Sequence, residues 1–226
     1  MRANNTTYKT VMSNTRGVFG FLSCLLGLVL WTKIDTTLEP KLRNDFGYSP
    51  SIISLFYTIQ FIGYLILSPF CHKLLQIFDG TVLTIISFYL IALSSFLIGP
   101  SYLFNSFMPN SIYLIIPGLF LTGIGTVFTT IATYQEMYIP FVEKFGLENI
   151  DQDKLGDILA GLYNGAYSIG VIIGPFSASY LMILLGDSFR KQADVFGLFT
   201  IFFATLLVII VEIPKHCISK RNMEVP

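Results

Sequence analysis

Residues 195–213 read VFGLFTIFFATLLVIIVEI, nineteen positions with a single charge, Glu212, near the end. A helix rises about 1.5 Å per residue, so this run reaches about 29 Å. That length matches the roughly 30 Å hydrocarbon core of a bilayer. In lipid the backbone must satisfy its own polar groups, and a helix does so within one segment. The stretch therefore reads as a membrane-spanning helix, stopped by Pro214.

Five further runs, at about 18–38, 50–68, 81–98, 111–133 and 155–185, have similar length and character. Ser49-Pro50 opens the second as an N-cap followed by proline at the first helical position. Pro40 is expected to stop the first span and Gly99-Pro100 the third, while Pro117 and Pro175 lie inside spans and kink them. The predicted architecture is an all-α membrane protein with a cytoplasmic N-terminal segment 1–17, a six-helix membrane domain 18–213 and a cytoplasmic tail 214–226. The lipid bilayer is its first partner.

Composition agrees. Hydrophobic residues make up 53% of the 226 and charged ones 12%, outside the usual range for a soluble domain. Fourteen basic and fourteen acidic residues cancel, which removes any global field for nucleic acid. Cys24, Cys71 and Cys217 are too few and too scattered for a disulfide framework or a metal site, so reduced thiols are expected. The polar start, MRANNTTYKTVMSNTRG, leads into too long an apolar run for a signal segment, and no cleaved peptide is read.

Lys and Arg on the short connections set the orientation. With the N-terminus inside, the inner segments carry Arg2, Lys9, Arg16, Lys73, Lys144, Lys154, Lys215, Lys220 and Arg221, and the outer ones Lys33, Lys41, Arg43, Arg190 and Lys191. The bias puts both termini in the cytoplasm. Segment 134–157 holds six acidic residues and two lysines. Its part 134–154 is expected to be a solvated cytoplasmic loop, with Phe141, Val142, Phe145 and Leu147 as interfacial anchors.

The spans differ. The first, second, fourth and fifth carry the glycines and most of the polar groups, the third carries small hydroxyls, and the sixth is apolar all round. Apolar helices face lipid and small or polar stripes face helices or cavities, so the expectation is two triplets, each with two inner helices and one outer. In the fifth span, Gly161 and Gly165, then Gly170 and Gly174, stand four apart ahead of Pro175. Such pairs let a neighbouring backbone approach closely, and the proline permits a bend.

Polar residues at membrane depth are functional candidates, because burying them without a partner is costly. In the second span, Tyr57, Gln60 and Tyr64 are spaced to share a face and would offer amide, phenol and ring surfaces to an organic cation. Thr122, Thr126, Thr129 and Thr133 form a stripe on the fourth, and Tyr163, Asn164 and Tyr167 lie on the fifth. The alternative for these residues is threonines bonded to their own helix and tyrosines anchored at the interface. Asp35 and Glu39, four apart near the outer end of the first span, are the coupling candidates, with helix-end capping as the alternative; Lys33 does not share their face. His72 and His216 fall on the cytoplasmic side. No nucleophile set, phosphate loop or metal-spaced cluster is read, so neither enzyme activity nor a cofactor is expected.

GLYNGAYSIGVIIGPFSASYL in the fifth span resembles the Gly-rich, Gly-Pro-containing eleventh helix of the major facilitator superfamily. DTTLEPKLRNDFGYSPSIISLFYTIQFIGYLILSPFCHKL, residues 35–74, is similar to the vesicular amine and polyamine transporter branch, with its Leu-Glu-Pro and two Ser-Pro pairs. The similarity runs from about Tyr8 to the end and corresponds to helices seven to twelve. Departures accompany it. The branch's Gly-x-Leu-Ala-Asp turn is replaced by a segment ending in Asp79-Gly80, and Asn164 stands where monoamine members carry an acid. The resemblance implies a three-plus-three repeat forming half a facilitator, a second six-helix half (upstream sequence, a second copy or another subunit), and a small organic solute, amine or polyamine, moved by alternating access, with the proton as candidate coupling ion. A structural or accessory subunit descended from such a transporter is the other reading.

Overall fold

The computed structural model describes residues 7–102, 109–146, 148 and 150–215. Seven α-helices follow in order: α1 (Tyr8–Met12), α2 (Thr15–Phe46), α3 (Pro50–Ile77), α4 (Gly80–Ile98), α5 (Ile112–Phe145), α6 (Gln152–Leu184) and α7 (Phe189–Leu207), the last continuing as a wider π turn over Val208–Glu212. Six of them, α2 to α7, are long and apolar enough to cross a membrane. The chain has the form of a multi-pass integral membrane protein. Leu147, His216, Cys217 and the rest of the expected C-terminal tail from 216 on lie outside the described residues.

Local chemistry sets the helix ends. Asn14 accepts the Arg16 N–H (2.9 Å) to start α2, and Asp79 accepts that of Thr81 (3.0 Å) to start α4. Pro50 opens α3 as expected. Gly47, with φ 67°, closes α2 in the left-handed conformation that favours glycine.

Several helices outrun their predicted ends. Pro40 does not stop α2, which continues to Phe46, because a proline near a helix end removes only one ladder bond. The expected solvated loop is corrected most: α5 runs unbroken to Phe145 and α6 begins at Gln152, so most of that segment is helix. Phe141, expected at the lipid interface, is buried with Val11, Met137, Ile150, Leu155, Ile158 and Leu159, and Val142 and Phe145 pack against the same cluster. The acidic count hid an apolar stripe at helical spacing.

The central pair is α2 with α5. Helix α6 packs along α2, α3 along α5, and α4 between α5 and α7. Two close crossings hold the outer members. A Cβ on Gly170 would lie 2.7 Å from the Leu25 carbonyl oxygen and one on Gly174 2.9 Å from that of Val29, so α6 rests backbone to backbone on α2. Likewise a Cβ on Gly123 of α5 would lie 2.8 Å from the Tyr64 nitrogen of α3. The inner and outer roles also shift: α4 is two-thirds buried, whereas α3 and α6 are the most exposed spans. Small hydroxyls let α4 nest against α5 and α7.

Candidate functional site

Because α3 leans on α5 and α6 on α2, the four helices leave a trough with α2 and α5 as its floor and α3 and α6 as its walls. Trp31, Asp35 and Glu39 are each four residues apart on α2, one stripe of a helix. Asp35 and Glu39 are exposed, and Trp31 is half-buried. Trp31 meets two rings of α3 edge-on, Phe61 at 5.2 Å and Tyr64 at 6.0 Å between centroids. One turn further along, the Tyr57 hydroxyl donates to the Asp35 carbonyl (3.1 Å). Rings and carboxylates thus share one side of α2.

The two lysines of α2 face the other way. Lys33, Thr37 and Lys41 form a second stripe, offset by two residues and so turned by about 200°. All three are buried. Lys33 donates to the Ser95 hydroxyl of α4 (2.9 Å), and Lys41 pairs with Asp45 and with Asn110 (2.9 Å). Packing both lysines away leaves Asp35 and Glu39 on the trough side, with exposed Arg43 one turn beyond Glu39 on the same stripe.

At the Arg16 end the trough opens into a cleft of about 390 Å³ lined by His72 and Leu75 of α3, Thr130, Ile131, Tyr134 and Gln135 of α5, and Tyr163 of α6. Aromatic and amide groups therefore continue from the carboxylate end to this cleft.

Of the sequence-predicted residues, Tyr57, Tyr64, Asp35 and Glu39 fall along this surface, Tyr163 lines the cleft, and Tyr167 is exposed on α6. Gln60 does not. It is 1% exposed at the α3–α5 crossing, its amide nitrogen and oxygen have no hydrogen-bond partner among the described residues, and Phe61 takes its expected place. The threonine stripe is corrected too. Thr122 bonds Ser94 of α4 and its own helix, Thr126 donates to the Thr122 carbonyl (2.8 Å), and Thr129 and Thr133 also bond their own backbone. A threonine hydroxyl reaches the preceding turn more readily than a cavity.

Asn164 is exposed on the side of α6 away from α2, two residues from buried Ala166. Gly170 and Gly174 pack as the spacing implies, but Gly161 meets the Tyr8 hydroxyl of α1 and Gly165 meets nothing. Pro175 lies within a helix that continues to Leu184. Compared with protein-family models, curated proteins and solved structures, the chain matches none. The chemistry of the trough must speak for itself.

Trp31 and Phe61 are the residues sequence reasoning passed over. Trp31 is the chain's single tryptophan and stands four residues before Asp35; that spacing was a readable signal.

A second polar set closes the Arg16 end. Arg16 donates to Glu136 of α5 through Nε (3.3 Å) and Nη2 (3.2 Å), and reaches Glu143 at 3.5 Å. Glu136, 4% exposed, also accepts from Thr81 of α4 (2.8 Å), while Lys215 pairs with Asp79. These contacts tie α2, α4, α5 and the end of the last span together.

Proposed function

We propose that this chain is a secondary transporter, or one half of one, that moves a small organic cation of the amine or polyamine class by alternating access. The carrying observation is the joining of Trp31, Phe61, Tyr64 and Tyr57 with Asp35 and Glu39 on one open surface. Ring faces attract ammonium groups and carboxylates neutralise them, so the surface suits a cation with apolar methylenes. Asp35, beside Tyr57, is the group assigned to charge recognition and proton exchange. The reading takes both termini as cytoplasmic, on the Lys and Arg bias of the connections.

The helix arrangement supports a half-facilitator. Exchanging α2-α3-α4 with α5-α6-α7 carries the α2–α6 packing onto α5–α3 and leaves the α2–α5 and α4–α7 pairs in place. The repeat is imperfect: α4–α5 packing is extensive while its counterpart, α2–α7, is slight. A second six-helix half facing α3 and α6 would roof the trough, as facilitator sites lie between two halves.

Uptake of radiolabelled polyamine into membranes carrying the full chain tests this. Uptake that falls in Asp35→Asn and Trp31→Ala, with both variants folded, is expected. Absence of both uptake and amine binding by the wild-type chain overturns it and favours an accessory subunit docked through α3 and α6.

A further inference from the structure

Lys33 is 7% exposed within the α2–α4–α7 packing, on the side of α2 turned away from the trough. Its ammonium donates to Ser95 and sits 4.4 Å above the centroid of the Phe196 ring. Among the described residues no carboxylate lies within ion-pair distance of it. Asp194, on the same helix as Phe196, turns one oxygen to the Tyr102 N–H instead (2.9 Å). Lys41, two turns along the same stripe, shows the contrast, because it has Asp45. A buried ammonium without a counter-charge costs several kcal/mol, roughly the penalty estimated for taking a single ion out of water.

The surroundings suggest what balances it. Lys33 shares with Thr37, Ser95, Phe189, Gln192 and Phe196 a small cavity of about 20 Å³, above the roughly 10–15 Å³ that one water-sized particle requires. The oxygens there are neutral: Ser95 donates to the Ile91 carbonyl and accepts from Lys33, Thr37 donates to the Lys33 carbonyl, and Gln192 adds an amide oxygen. They can accept from the ammonium but carry no charge to balance it. An amide has two N–H groups, and Gln192 gives one of them to the Ala178 carbonyl (2.7 Å). A buried positive charge beside a further amide N–H suits a small anion.

We propose that Lys33 and Gln192 hold a monatomic anion, chloride in the cell, as a structural counter-ion between α2, α4 and α7. No bond is made or broken; the anion neutralises the ammonium and joins three helices near the end opposite Arg16.

The test is thermal unfolding of the purified full chain in detergent, with chloride replaced by gluconate at constant pH and ionic strength. Wild type is expected to gain a saturable rise of several degrees in its midpoint with chloride, since a ligand of the native state alone stabilises it by mass action. Lys33→Met is expected to lose that response. An unchanged wild-type midpoint overturns the proposal and makes the lysine a neutral amine; an equal response in Lys33→Met overturns it by locating the halide elsewhere. Should Lys33→Met not fold, ¹⁵N-lysine spectra of the wild type decide: an ammonium signal that appears only with chloride supports the site, and one indifferent to chloride sinks it.

Discussion

Lys33 and Asp35 stand two residues apart on α2 and face opposite sides of it, the lysine buried against Ser95 and the aspartate exposed beside Tyr57. One helix thereby presents a cation to the packed interior and an anion to the trough. This separation keeps the two charges from neutralising each other, which leaves the Asp35 carboxylate available to a ligand.

Asp35→Asn is accordingly expected to weaken amine binding about tenfold, the scale of one charge-assisted contact of about 1.5 kcal/mol. Isothermal calorimetry with a polyamine measures it. Equal affinity in the variant and wild type would remove Asp35 from the site.

Gln60→Leu should leave amine binding unchanged and raise thermal stability. Both amide atoms lack partners among the described residues in a site 1% exposed, and removing an unsatisfied buried polar group recovers about 1–3 kcal/mol. Lost binding in this variant would return Gln60 to the role its spacing first suggested.

The glycines of α6 are not interchangeable. Gly174→Val forces a side chain into Thr32 and the Val29 carbonyl, with an expected loss of about 1–3 kcal/mol. Gly165→Ala meets open space and should be neutral or stabilising by up to about 1 kcal/mol through helix propensity. Paired unfolding curves compare them; similar losses would mean α6 does not rest on α2 through this face.

Glu136→Ala removes a buried partner of Arg16 and is expected to cost about 3–5 kcal/mol. Glu143→Ala, whose carboxylate is largely exposed, should change stability by no more than about 1 kcal/mol. The same unfolding assay separates them, and a large effect at Glu143 would show that the Arg16 contacts are ordered differently.

How much of this was legible in the chain follows from what each signal measures. Hydropathy compares a segment with lipid, so it located six spans without knowledge of any neighbour. Helical spacing showed that Asp35 and Glu39 share a face and that Lys33 does not. The same rule faltered at Gln60, because adjacent residues differ by only about 100° around a helix. Whether position 60 or 61 joins Tyr57 and Tyr64 depends on where α5 lies, and Gly123 draws it against the Gln60 side.

The acidic segment after residue 133 shows the other limit. Its charges read as a solvated loop, yet Glu136 is buried because Arg16, 120 residues earlier, reaches it. A charge is tolerable in a packed interior only when its partner is brought there, and no local pattern records that meeting. The sequence by itself determined that the chain enters the membrane as helices, since that depends on each segment and its solvent. The tertiary structure alone decided which polar groups face the trough and which are bonded away, since that depends on which backbones approach closely enough to touch.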